Sequence, residues 1–361
     1  MRIAVLSPSL TTADAVSNDV VGMYEVLQRR GMTVRIFSET EALNGYKVYP
    51  LTKLKSFLNQ SSDVLIYHYS VGWQKGLDLM RDLGCRTVIK YHNVTPPHFF
   101  TGFSSFDEHL CVTGRKQLTE IACSGHDLYL ADSPYNMEEL IAEGASAERS
   151  FVVPPFHHID RLNSITPDAA VLERYTDGKV NILIVGRVSP NKGHIALLEA
   201  FATYFYHYNQ DSRLLVVGKG GEGLSPYSAL LRQAAASLGL ERSVVFTGGV
   251  ADEALKAYYM VADAFMITSE HEGFCVPLVE AMAMKLPIIA YASSAIPGTV
   301  ADAGLVWQER DPYLLAESLD LIVKDEHVGG ALSLKGRRRY EEKFTNEKIE
   351  TEFLRVLSSL L

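Results

Sequence analysis

The chain has 361 residues, 47% of them hydrophobic and 21% charged, and a formal net charge of −9 at neutral pH. That length exceeds one ordinary core and predicts two domains, while the acidic balance excludes the concentrated basic face of a nucleic-acid binder. No apolar run approaches the roughly 20 residues of a membrane span, and Cys85, Cys111, Cys123 and Cys275 form no C-x-x-C pair, so free thiols are expected rather than disulfides or a zinc site.

Met1 leads straight into a strand over Ile3 to Leu6 without the basic start and cleavage site of a secretory signal, which predicts a cytoplasmic protein. The loop that follows, Ser7 to Asp19, has no G-x-G-x-x-G, and a dinucleotide-binding dehydrogenase is disfavoured. Its polar residues Asp14, Ser17 and Asn18 precede a helical pattern and are candidates for the acceptor or phosphate side. A simple helix N-cap by Ser17 or Asn18 explains them equally well.

Further strands are predicted over Thr33 to Phe37, Val64 to His68, Thr87 to Tyr91, Leu128 to Asp132 and Phe151 to Val153, with helical patterns between most of them. His68 and His92 stand at the carboxyl ends of two of these strands, where ligands of open parallel sheets bind. His92 is followed by the proline-broken Asn93-Val94-Thr95-Pro96-Pro97; His68 lies between two tyrosines, which suits an aromatic cluster as well as a site.

A seam is expected near residues 160 to 178, giving a first domain over 1–165, a second over 166–345 and a terminal helix over 346–361 that packs back on the first. The second series of strands runs Val180 to Val185, Leu214 to Val217, Val244 to Phe246, Ala264 to Ile267, Ile288 to Ala290 and Leu305 to Trp307. This alternation predicts an α/β protein of two doubly wound, Rossmann-like parallel sheets facing one cleft.

After the first strand of this series, Gly186-Arg187-Val188-Ser189-Pro190-Asn191-Lys192-Gly193 puts two cations on one strand-to-helix loop. Such residues are ordinarily just solvated, but a guanidinium fork and a compact ammonium together suit a diphosphate. The turn that begins at Gly218 and Lys219 is either a flexible surface turn or a nucleotide edge, and the turn ending at Val250 offers main-chain groups to a base. Then comes Ser269-Glu270-His271-Glu272-Gly273-Phe274-Cys275-Val276-Pro277-Leu278-Val279-Glu280, with a helix expected to start at Pro277 and Glu280 on its first turn. The free amides of that helix make an anion site flanked by two carboxylates, which points to a phosphorylated, hydroxyl-rich ligand. Lys335 to Arg339 is a basic cluster best explained as a solvated helix face, ahead of contact with anionic lipid. In the final stretch Ile349, Phe353, Val356, Leu357 and Leu360 fall on helical spacing and must be buried.

Glu272 and Glu280 form an E-x7-E pattern, and with the basic loop and His92 the chain resembles the family-4 retaining glycosyltransferases of GT-B architecture, over nearly its whole length and most closely from Val180 to Trp307. The resemblance implies that Glu272 holds hydroxyls of the donor sugar, Glu280 the nucleotide ribose, Arg187 and Lys192 the donor diphosphate, and that His92 lines the sugar site. Gly186, Gly218, Lys219, Val250, Gly273, Phe274, Cys275 and Val276 would complete the donor and nucleotide side. It further implies no metal and no cofactor beyond the donor, a UDP- or GDP-sugar. The acceptor would be a glycan, a lipid-linked intermediate, a protein or a small molecule, reached in the cytoplasm or at the inner face of a membrane by peripheral contact. The chain departs from the family pattern in having Cys275 where glycine is usual, Gly298 where an acid is common, and no glycine-rich loop after its first strand. A non-catalytic sugar-nucleotide-binding subunit and another GT-B enzyme, such as an epimerase or a phosphorylase, are the competing readings.

Overall fold

The structure is a computed structural model that describes every residue except Thr12, Ala13, Glu41, Ala42, Glu222 and Leu361. Parts of the loop after the first strand and of the glycine-rich turn therefore lie outside the described residues. The chain divides into two units, one of Met1–Pro97, Asp107–His158 and Thr345–Leu361, the other of His98–Phe106 and Ile159–Phe344.

The first unit contains β1 (Arg2–Leu6), β2 (Thr33–Phe37), β3 (Val48–Tyr49), β4 (Val64–Tyr69), β5 (Arg86–Tyr91), β6 (Leu128–Ala131) and β7 (Ser150–Val152). All are parallel, in the order β3-β2-β1-β4-β5-β6-β7. The second contains β8 (Val180–Val185), β9 (Ser212–Val217), β10 (Val244–Gly248), β11 (Ala264–Ile267), β12 (Ile288–Tyr291) and β13 (Gly304–Trp307), parallel in the order β10-β9-β8-β11-β12-β13. Every strand expected from the sequence is present to within two residues at each end. The addition is β3, whose two residues are too few to show a period.

Strands buried on both faces lose the alternation of a half-exposed sheet, and β4 and β11 are buried at every position. In each unit the strand order reverses at its centre, between β1 and β4 and between β8 and β11. At such a switch point the crossover helices leave to opposite faces, so the loops at the carboxyl ends of the two central strands part and leave a crevice.

Three expectations change here. Residues 160 to 178 are not a plain break, because the helices Ile159–Ser164 and Ala169–Tyr175 lie there and belong to the second unit. The basic cluster is only partly solvated: Arg337 donates to the Ala283 carbonyl at 2.9 Å, and Arg339 to those of Thr299 at 2.7 Å and Gly298 at 2.6 Å, so two of its charges fasten the helix Glu326–Arg339. The short segment His98–Phe106 leaves the first half of the chain to pack on the second unit, with the Phe103 ring edge-on to Tyr227 at 5.2 Å and Phe99 at 6.4 Å from His271.

No helix among the described residues is long and apolar enough to cross a membrane. The helix Asn346–Leu357, capped by Thr345, buries Ile349, Phe353, Val356 and Leu357 in the core of the first unit beside Val20, Met23 and Phe156. Phe353 is fully buried and edge-on to Phe156 at 6.1 Å. Phe353→Ala should therefore cost the first unit about 3–5 kcal/mol in denaturant unfolding; a loss under about 1 kcal/mol would show that the terminal helix is dispensable to that core.

Candidate active site

In the second unit the loops after β8 and β11 meet at the switch point, and they are joined by hydrogen bonds. The Asn191 carbonyl accepts from the amides of Glu270 at 2.8 Å and His271 at 3.3 Å, while its side-chain amide donates to the His271 carbonyl at 3.1 Å. Ser189 Oγ donates to Asn191 Oδ1 at 2.7 Å and so fixes which way that amide faces. One residue further, Thr268 Oγ1 donates to the Gly193 carbonyl at 2.9 Å. Gly193 has φ +64, and a Cβ there would stand 2.1 Å from the Thr268 carbonyl oxygen, so only glycine permits the approach. Two more glycines close the neighbouring strand ends: the Gly186 amide bonds the Val217 carbonyl, and a Cβ on Gly218 would meet the Gly186 carbonyl at 1.8 Å.

This joint places Lys192 against Glu272. The ammonium donates to both carboxylate oxygens, at 2.7 and 2.8 Å, with 21% of the lysine and 6% of the glutamate side chain exposed. Burial opposes the ammonium, yet the Glu272 charge outweighs it and holds Lys192 above the usual lysine range. The Glu272 amide donates to Ser294 Oγ at 2.7 Å, which secures the turn from behind. His194, beside the same loop, is pushed down to about 4 by burial and by Lys192, and stays neutral. Exposed Arg187 lies over the Gly220-Gly221 turn, its guanidinium within 2.6 Å of where a Cβ on Gly221 would stand. With Gly186, Lys192, His194 and Ser269 it lines a narrow crevice. Lys219 is exposed and Val250 half-buried, at the ends of β9 and β10.

The helix after Glu272 spans Val276–Ala283, so Pro277 is its second residue and Glu280 its fifth, on the second turn rather than the first. Position 275 forces this: Cys275 caps the helix with φ 72 and ψ 73, a left-handed conformation that favours glycine. Its thiol is raised well above the usual range, first by burial and then by the Glu272 charge. Phe274 is buried edge-on to Phe344 at 5.5 Å, and its carbonyl accepts from Thr299 Oγ1 at 2.9 Å, so Gly273 to Val276 form a fixed turn. Glu280 is buried and accepts a 2.6 Å hydrogen bond from the Tyr259 hydroxyl.

In the first unit the helix after β1 is capped by Asp14, not by Ser17 or Asn18. Its carboxylate accepts from the Ser17 amide at 3.0 Å and the Ser17 hydroxyl at 2.9 Å, while Asn18 Nδ2 pairs with His158 Nδ1 at 2.9 Å. His68 and His92 are together, Nδ1 to Nε2 at 2.9 Å, and His92 Nδ1 meets Asp132 Oδ2 at 2.9 Å. Both ring nitrogens of His92 are thus engaged within the protein. Asp19 and Lys90 complete a buried cluster around them. Asp19, His68 and His92 are the one group among the described residues whose donor atoms are close enough to share a metal ion, but the Lys90 ammonium already stands beside them at 3.7 Å from Asp19.

Sequence reasoning missed Asn191, Thr268, Tyr259, Asp19, Lys90 and Asp132. Asp132 had a usable signal, since it follows the last residue of β6 as His92 follows that of β5. Tyr259 had none, because its partner lies 21 positions away on the next helix.

Residues 171–344 match the sequence profile of the family described as glycosyl transferases group 1. Among curated relatives, the mannosylfructose-phosphate synthase of Agrobacterium fabrum is 27% identical over 64% of this chain and 52% of its own. The GDP-mannose-dependent alpha-(1-6)-phosphatidylinositol monomannoside mannosyltransferase of Mycobacterium tuberculosis is 29% identical over 59% of this chain and 57% of its own. The chain thus spans little more than half the length of either relative. Of solved structures, the sucrose-phosphate synthase of Thermosynechococcus elongatus superposes with a TM-score of 0.80 at 20% identity, covering 100% of this chain and 99% of that one. Anabaena HepE, crystallised with UDP and glucose, superposes with a TM-score of 0.77 at 18% identity, covering 99% of this chain and all of that one. The fold is therefore the GT-B fold of glycosyltransferases.

Gly193→Ala should break the joint between the two loops. Left-handed strain and the clash with Thr268 together cost about 1–3 kcal/mol or more, read as a lower melting temperature of the second unit; a wild-type value would show that the loops are not held in this way.

Proposed function

We propose, from the premise that residues 171–344 belong to the glycosyl transferases group 1 family, that the protein transfers a sugar from a nucleotide diphosphate to an acceptor hydroxyl, with retention at the anomeric carbon and without a metal on the diphosphate. The observation that carries this reading is the Lys192–Glu272 pair, fixed at the switch point of the second sheet in front of the helix Val276–Ala283.

The second unit binds the donor. Arg187, Lys192 and the amides at the start of that helix face the diphosphate, Glu272 accepts hydrogen bonds from the sugar hydroxyls, and Glu280, oriented by Tyr259, accepts them from the ribose. Gly186 and Gly218 let the backbone approach the nucleotide, with Lys219 and Val250 at its edge. The Lys192–Glu272 pair is the resting partner of both groups: it keeps each charged and in place until phosphate and sugar take over its hydrogen bonds.

As the glycosidic bond breaks, negative charge grows on the leaving diphosphate. Fixed cations and helix amides already aimed at it stabilise that charge more than the ground state, which lowers the barrier. The acceptor hydroxyl attacks on the face the nucleotide leaves and passes its proton to the departing phosphate oxygen, so no protein nucleophile is required. Fixed cations here take the part that a chelated metal takes elsewhere, and no Asp-x-Asp triplet is present to hold one.

The first unit binds the acceptor, with Asp14, Ser17, Asn18 and His68 on its side of the reaction, and contributes His92 to the sugar site. Among proteins of this fold HepE was crystallised with UDP and glucose, and a mycobacterial relative is GDP-mannose-dependent, which supports a UDP- or GDP-sugar as donor and a glycan or glycoconjugate as product.

Screening UDP-, GDP- and ADP-sugars for release of free nucleotide diphosphate will identify the donor. With that donor, Arg187→Ala should lower kcat at least tenfold, and near-normal turnover would sink the proposed charge stabilisation. Glu272→Gln should raise KM for the donor and relax the choice of sugar, measured as the kcat/KM ratio between two hexoses; an unchanged ratio would remove Glu272 from the sugar.

A further inference from the structure

Five ionisable side chains meet in the first unit with no more than 5% of any of them exposed: Asp19 on the helix after β1, His68 on β4, Lys90 on β5, and His92 and Asp132 just beyond β5 and β6. Lys90 Nζ lies 2.5 Å from Asp132 Oδ1 and donates to the Val153 carbonyl, and Asp132 Oδ2 takes His92 Nδ1. The Phe156 amide occupies Asp19 Oδ1 at 2.8 Å. What remains is a triangle: His68 Nδ1 and His92 Nε2 are 2.9 Å apart, and each is 3.6 Å from Asp19 Oδ2, which has no hydrogen-bond partner.

Three donor atoms facing one point are the pattern of either a metal or a proton. The point equidistant from them lies about 2 Å from each, a zinc–ligand distance. Charge decides between the two. With both imidazoles neutral, two carboxylates and one ammonium leave a single negative charge away from water, which is strongly disfavoured. One proton restores neutrality, whereas a divalent ion overshoots to a net positive site.

We propose that Asp19 Oδ2, His68 Nδ1 and His92 Nε2 hold one proton in common, and that Asp19 is in this way a positioning residue for His92 and the loop that follows it. The neighbouring groups agree. Burial raises the Asp19 carboxyl above its usual range although Lys90 and His92 pull it down. Burial also works against ionised Asp132, but His92 and Lys90 outweigh it and hold that carboxyl low. Burial, then His92 and Lys90, keep His68 well below the usual imidazole range and therefore neutral. Asp132 with Lys90 thus forms the ion pair, and the extra proton stays in the triangle. When it is lost, the uncompensated Asp19 carboxylate faces the His68–His92 contact, and the ring that Asp132 aims loses its fixed partner.

The sign of the pH dependence follows. A carboxyl raised by folding contributes stability that is present at low pH and lost as pH rises from the ordinary carboxylate range through the folded value. His68 and Asp132, both lowered, act in the opposite sense and are lost as pH falls. Within this cluster, therefore, only the decline with rising pH reports Asp19. Asp19→Asn keeps the shape and removes the carboxyl that takes up and loses the shared proton. Thermal unfolding and the pH profile of kcat, each followed from about pH 4, the ordinary carboxylate range, to about pH 9, should show in the wild type a decline with rising pH that Asp19→Asn mostly loses. Carboxyl-carbon NMR of wild-type Asp19 reads the same proton with no substitution and serves if the variant does not fold. Equal declines in both proteins, or an ionised Asp19 throughout, would overturn the proposal. So would one equivalent of zinc retained through purification whose removal by a chelator lowers the melting temperature. Unfolding and NMR require no turnover, so a protein that transfers no sugar would refute the proposed function and leave this inference standing.

Discussion

The candidate site of the second unit depends on the joint between Asn191 and the backbone of Glu270 and His271, reinforced by Thr268 on Gly193. Loops at a switch point diverge by construction, because the helices that follow them leave to opposite faces of the sheet. Without a cross-connection Lys192 and Glu272 would each sit on a separate mobile loop, and holding two long side chains together would oppose the pairing through their rotamer entropy. A rigid joint removes that cost, and a pair whose partners are already placed persists in a half-buried setting where a floppy one would dissolve into water.

The two units handle buried charge in different ways. In the second, Lys192 is paired with Glu272 and Glu280 with the Tyr259 hydroxyl, partners for which a ligand can exchange without stranding a charge. In the first, five groups share their charges in a closed network that is nearly inaccessible, and His92 has both ring nitrogens spent within it. Such a network gives orientation rather than exchange. The first arrangement suits a site that must open to a polyanion; the second suits a scaffold beneath a loop.

The fold was legible because its strands announce themselves: Val-Leu-Ile-Tyr and Ala-Phe-Met-Ile are runs too short for helices and too apolar for an exposed sheet. Residues that act from one loop were legible too, since Arg187 and Lys192, or Glu272 and Glu280, lie within a few positions of each other. Bonds between loops were not. Asn191 and His271 are 80 positions apart, and nothing in either segment names the other. The helix start at Val276 rather than Pro277 was hidden by Cys275, a residue whose type argues against the left-handed backbone it adopts. Asp19 stood at the end of the loop read as Ser7 to Asp19, next to the candidate Asn18, and its importance arises only because β4 and β5 bring two histidines to it.

The excursion of His98–Phe106 has a consequence for taking the molecule apart. Counted along the chain, the backbone changes unit at 97/98, 106/107, 158/159 and 344/345, four times rather than once. A half ending at His158 would carry an aromatic strap with nothing beneath it and lack the last helix of its own core, and a half beginning at Ile159 would lack the ring that lies against Tyr227. Autonomous lobes would have to be drawn by splicing, with a short linker in place of the strap and the C-terminal helix transplanted, and not by a single cut.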